Sequence, residues 1–84
     1  MSYEQLTQIQ SRIIIGVKQT LRAMKNGEIS EVYIAEDADR HITNQVIELA
    51  EEQSIPYTSV PSKKDLGIAC GIDVGTSTAA VKHE

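Results

Sequence analysis

The sequence predicts a single-domain α/β fold, a three-layer α-β-α sandwich around a small mixed four-stranded sheet. Short β-branched runs alternate with segments of helical period, and glycines stand where one kind of segment gives way to the next. The chain's 84 residues amount to one domain. Alternating strands and helices imply right-handed crossovers, which place helices on both faces of the sheet.

Each element has its own signal. Residues 3–9 can form a short amphipathic helix, with Leu6 and Ile9 three apart. Arg12-Ile13-Ile14-Ile15 is a β-branched strand closed by Gly16. From Val17 to Asn26 the apolar residues Val17, Leu21 and Met24 fall at helical spacing, and Gly27 stands where a left-handed cap belongs. Residues 31–35 read as a buried strand. Asp37 or Asp39 can then cap a helix running to about Gln53, with Ile42, Val46, Leu49 and Ala50 on its inner face and Glu48, Glu51 and Glu52 in solvent. Residues 55–60 supply a third strand, with Pro56 near its start, where a missing N–H is tolerable. Ser62-Lys63-Lys64-Asp65 has the form of a capping box opening a short helix to about Cys70. Residues 71–78 form a loop, and residues 78–82 the last strand.

Composition excludes several functions. No apolar run approaches the roughly 18 residues of a membrane span, and Met1-Ser2-Tyr3-Glu4 does not begin a secretory signal. Cys70 is the single cysteine, which fits a reducing compartment, so a cytoplasmic location is expected; the chain is also expected to be a monomer. The formal charge is −4, yet it is unevenly spread. Residues 12–25 carry Arg12, Lys18, Arg22 and Lys25 with no acid, whereas residues 28–52 carry eight acids against Arg40.

The segment Gly16-Val17-Lys18-Gln19-Thr20-Leu21-Arg22 is the most informative. A strand runs into a glycine and a helix starts at once, so unpaired N–H groups and the positive end of the helix dipole face outward beside a bare backbone. Lys18, Arg22 and Lys25 line one helix face, and the Gln19 amide beside them can read base edges. The same residues also suit a plain amphipathic helix with a wetted basic face. The second candidate is Gly71-Ile72-Asp73-Val74-Gly75, in which Ile72 and Val74 either cover an unstacked base or turn inward as core.

Other chemistry finds little support. Glu36-Asp37-Ala38-Asp39 reads more simply as helix capping than as a divalent-cation site. His41 and His83 lack partners at ligand spacing, and residues 16–20 lack the Gly-Lys-Ser/Thr ending of a phosphate-binding loop. No nucleophile, base and oxyanion donor assemble, so no enzyme, metal or cofactor is expected. With three tyrosines and no Phe or Trp, the chain lacks the aromatic platforms of single-strand binders. Folded, helical RNA is the better fit.

Taken in order and spacing, Gly16–Arg22, Tyr33-Ile34-Ala35-Glu36-Asp37, Ile55-Pro56-Tyr57 and Ser62-Lys63-Lys64-Asp65-Leu66-Gly67 resemble the kink-turn-binding ribosomal protein family. That family includes archaeal large-subunit protein seven-Ae and its thirty-e relatives, and the resemblance is strongest to its small bacterial members of the YbxF type. It covers nearly the whole chain. The resemblance implies an α-β-α sandwich that binds kinked RNA with tandem sheared G·A pairs, either ribosomal RNA, with the ribosome as a possible host, or a riboswitch-like leader. The positions it implicates are Gly16, Lys18, Gln19 and Arg22 at the kink, and Ile72, Asp73 and Val74 over an extruded nucleotide. Archaeal members carry Asn-Glu where this chain has Lys18-Gln19, and bacterial members resemble this chain there. The competing reading is a protein–protein module with the same fold, acting through the acidic helix around Glu48, Glu51 and Glu52.

Overall fold

The computed structural model describes residues 11–83. The helix expected over residues 3–9 lies outside them. The elements run β1 (Ile13–Ile15), α1 (Val17–Lys25), β2 (Ile29–Ala35), α2 (Arg40–Glu52), β3 (Tyr57–Val60), α3 (Lys63–Cys70) and β4 (Thr78–Lys82). The four strands form one sheet in the order β1-β4-β2-β3. β4 is antiparallel to both β1 and β2, and β3 is parallel to β2, so the sheet is mixed as expected.

The period-two alternation of β2 separates two cores. Val32 and Ile34 pack with Ala23 and Met24 of α1 and Val46 and Ala50 of α2. Tyr33 and Ala35 turn to the opposite face, where they meet Val60 and, from α3, Leu66, Ala69 and Cys70. A one-residue slip would exchange the two sets, so the pairing of Val32 with Ala80 and Tyr57 is strongly specified. Each large apolar side chain removed from water in these layers contributes roughly 1.5–3 kcal/mol.

Several boundaries and faces differ from the sequence reading. β1 begins at Ile13, because Arg12 lies with Ser11 in a short 3₁₀ turn. β2 begins two residues early, at a buried Ile29, since β4 extends alongside it to Lys82. Pro56 precedes β3 and its carbonyl accepts the Val32 N–H at 3.1 Å. In α2 the buried stripe is Thr43, Val46 and Ala50, with Ile47 and Leu49 at its margins. Ile42, expected inside, is 42% exposed. It lies in the first turn of α2, at the margin of this stripe rather than at its centre. The same offset appears in α1: Thr20, Ala23 and Met24 are buried, while Val17 and Leu21 flank them half-buried.

The helix ends follow local chemistry. Asp39 caps α2, its carboxylate accepting the His41 N–H at 2.8 Å. Ser62 caps α3 by accepting the Asp65 N–H at 3.0 Å. Gly71, at φ 79°, closes α3 in the left-handed conformation, with its own N–H on the Ile68 carbonyl and the Ile72 N–H on Gly67. Among the described residues, no helix is long and apolar enough to cross a membrane.

Candidate nucleic-acid interface

Strand β1 enters α1 through Gly16, whose φ of 103° and ψ of 152° belong to a region open in practice only to glycine. The Gln19 side chain folds back over it, so that a Cβ at position 16 would stand 2.7 Å from Gln19 Oε1. No side chain caps this helix. Its first internal bond runs from the Thr20 N–H to the Gly16 carbonyl at 3.0 Å, and the amides before Thr20 precede the repeating ladder. The first turn carries no acidic residue, and Lys18 sits there instead. A cation at the positive end of a helix dipole is unfavourable by itself, and an arriving anion relieves both.

Lys18, Gln19, Arg22 and Lys25 are all exposed. Lys18, Arg22 and Lys25 border an open depression of about 400 Å³ together with Leu21 and Asn26. The wall is therefore mixed: three cations around the edge of one half-buried leucine. On the same helix the Thr20 hydroxyl is fully buried and unpartnered, as is that of Thr78 at the start of β4.

The second segment, residues 71–77, arrives at the same end of the sheet. The Ser77 carbonyl accepts the Ala35 N–H at 2.9 Å. The Thr78 carbonyl accepts the Gly16 N–H and the Thr76 hydroxyl, each at 3.0 Å. One carbonyl thus joins the entrance of α1 to the loop. Within that loop the two aliphatic residues divide. Ile72 is half-buried against the Tyr33 core, whereas Val74 is 70% exposed and Asp73 is also exposed.

The loop rests on α3 through two glycines. A Cβ at Gly67 would overlap the Val74 carbonyl oxygen, and one at Gly75 would stand 3.2 Å from the Lys63 backbone. The Lys63 carbonyl accepts the Thr76 N–H at 3.1 Å, and the Lys63 N–H donates to Asp37 Oδ1 at 2.7 Å. Asp37 therefore serves α3, leaving α2 to Asp39. The sequence offered no local signal for this bond, because its partners are 26 residues apart. The glycine spacing at positions 67 and 75 was the one available trace of the loop's close approach.

Other reactive groups are quiet. Among the described residues, no three His, Cys, Asp or Glu side chains are grouped to hold a metal ion. Cys70 is buried, which pushes its thiol pKa up and suppresses the nucleophilic thiolate. Glu48, Glu51 and Glu52 are exposed, and the Glu51 carboxylate accepts the Tyr57 hydroxyl at 3.0 Å.

Comparison with known proteins bears on this geometry. The model of the ribosomal protein L7Ae/L30e/S12e/Gadd45 family matches residues 1–84. The RNA-binding protein YbxF of Geobacillus stearothermophilus is 49% identical over 81 residues, covering 96% of this chain and 98% of that protein. An RNA-binding protein of Halalkalibacterium halodurans is 48% identical over 82 residues, covering 98% and 99% respectively. Among solved structures, the Giardia lamblia 15.5kD RNA binding protein superposes with a TM-score of 0.90 at 28% identity, covering 98% of this chain and 71% of that one.

Proposed function

The chain belongs to the ribosomal protein L7Ae/L30e/S12e/Gadd45 family, and we propose that it is a non-enzymatic RNA-binding protein that recognises and stabilises kink-turns, the tandem sheared G·A motifs of structured RNA. The observation that carries this reading is the meeting, at the Thr78 carbonyl, of an uncapped basic helix entrance and a loop that exposes a large aliphatic side chain.

In this reading the first turn of α1 enters the groove at the kink. Lys18 donates to guanine O6 or N7, and the Gln19 amide reads the G·A edges. Arg22 contacts a phosphate or a guanine edge. Gly16 removes the side chain that would hold the phosphodiester away. Val74 covers the extruded nucleotide with Asp73 beside it, and Ile72 supports Val74 from the core side. Lys63 and Lys64, both exposed, are auxiliary phosphate contacts at most.

The pair Lys18-Gln19 gives this interface its own character. A glutamate in place of Gln19 would accept charge-assisted bonds, about twice as strong as neutral ones. Gln19 accepts without that assistance, while Lys18 beside it adds a charged donor of its own.

The test is a titration of fluorescently labelled kink-turn RNA in magnesium, beside the same RNA with its G·A pairs replaced. Tight binding that depends on those pairs is the expected result. Equal, weak binding to both would reduce the basic stripe to nonspecific attraction and sink the kink-turn reading.

A further inference from the structure

Asp37 is the carboxylate that its own helix does not need. α2 is already capped by Asp39, and α3 is already capped by Ser62. Asp37 is exposed, yet its Oδ1 accepts the Lys63 N–H at 2.7 Å, a short charge-assisted bond across the start of α3. Lys63 in turn carries the loop: its carbonyl holds the Thr76 N–H, and its backbone and Cβ lie against Gly75. The Val74 carbonyl itself lies against Gly67 so closely that no side chain fits between, and the Ile72 N–H bonds the Gly67 carbonyl at 3.0 Å. Val74, though 70% exposed, therefore stands on a backbone held against α3 at Gly67 and at Lys63.

We infer that Asp37 is a positioning residue for Val74, acting through Lys63 to hold the loop of residues 71–77 in a binding-competent form. This rests on the kink-turn reading for the identity of what Val74 covers, but not for the clamp itself. A side chain that meets a nucleotide is effective only if its backbone is already ordered, since ordering a loop on binding subtracts from affinity. Asp37 joins the β2–α2 turn to α3 and so supplies that order without touching the ligand.

Two measurements test it. The first is affinity for an intact kink-turn RNA and for the same RNA made abasic at the extruded position. Asp37→Ala should weaken binding to the intact RNA about fivefold and leave the abasic RNA nearly unchanged. Asp37→Asn keeps the accepting oxygen and should restore most of the affinity. Asp37→Ala combined with Val74→Ala should bind no more weakly than Val74→Ala alone. Equal losses on both RNAs, or full additivity with Val74→Ala, would overturn the inference.

The second measurement is hydrogen exchange of the free protein. In Asp37→Ala the Thr76 amide should exchange about tenfold faster, with the Val32 amide on β2 unchanged. An unchanged Thr76 amide overturns the clamp. If the wild-type chain does not distinguish kink-turn RNA from the G·A-replaced RNA, the functional reading fails, and exchange at Thr76 alone then decides the clamp.

Discussion

The Gly16 N–H donates to the Thr78 carbonyl at 3.0 Å, tying the first residue before α1 to the first residue of β4. The same carbonyl accepts the Thr76 hydroxyl. Two segments 62 positions apart in the chain are thus held at one end of the sheet by one main-chain carbonyl, and a change at either should be felt at the other. The glycine is also conformationally required.

Gly16→Ala should therefore cost more than Gly27→Ala, although both glycines have positive φ. At Gly27, φ 73° is a left-handed geometry with open space around it, so alanine there costs only backbone strain of about 1 kcal/mol. At Gly16, φ 103° is a stricter demand, and the new methyl also meets Gln19 Oε1. A loss of roughly 2–3 kcal/mol is expected in urea unfolding, so the two variants should differ by about 1–2 kcal/mol. Equal losses would mean that Gln19 swings away freely and that the φ 103° backbone relaxes with it.

Lys18→Ala and Arg22→Ala should leave folding nearly unchanged, since both side chains are exposed. Each should weaken kink-turn binding by about 1–3 kcal/mol. The two substitutions should separate in salt. With about three phosphates neutralised, log affinity falls against log salt with a slope near −2 to −3, and loss of a phosphate contact flattens it by about one. Arg22→Ala flattening the slope while Lys18→Ala leaves it would place Arg22 on the backbone and Lys18 on a base edge.

These outcomes bear on how far the sequence alone could reach. The strand Ile13–Ile15, its closing Gly16 and the doubly buried strand β2 were legible because each is a short local pattern, an apolar or β-branched run or a turn residue ending one. The buried stripe of α1 was legible in full only at Met24. Thr20 is polar and reads as solvent-facing, yet it is fully buried beneath the helix. Ile72 and Val74 could not be told apart either. Residues two apart share a face only in a strand, and here the left-handed turn at Gly71 sets the loop on another course. Asp37 was readable as a cap, but which helix it caps depends on Lys63 arriving from a distant part of the chain.

Tyr33 gives a pH signature of the fold. Burial first, and then the Glu31 carboxylate, push its phenol pKa from 10.0 to about 12. The folded chain keeps this proton to higher pH than the unfolded chain does. Its contribution is therefore complete below pH 10.0 and is lost as pH rises toward about 12. Urea midpoints should fall across that window, and Tyr33→Phe should flatten the fall. Tyr57→Phe should flatten it less, because the bond to the Glu51 carboxylate raises that phenol too, but at the surface, where solvent screens it. A fall that persists in Tyr33→Phe would assign the transition to other groups.

The loop offers the sharpest separation of stability from binding. Ile72 is half-buried against the Tyr33 core, so Ile72→Ala should lower stability by about 1–2 kcal/mol through lost packing. Val74 is mostly exposed, so Val74→Ala should change stability by less than about 0.5 kcal/mol. Binding to kink-turn RNA should respond in the reverse order, with Val74→Ala costing more than Ile72→Ala measured well below its unfolding transition. Gly67→Ala should disturb both, because its methyl would displace the Val74 carbonyl and move the loop with it. Thermal unfolding and RNA titration of the three variants decide the matter. If Val74→Ala binds like the wild type while Ile72→Ala does not, the exposed aliphatic side chain is not the one that meets the nucleotide, and the loop's contact must be assigned to the edge of Ile72 that its half-buried position leaves open.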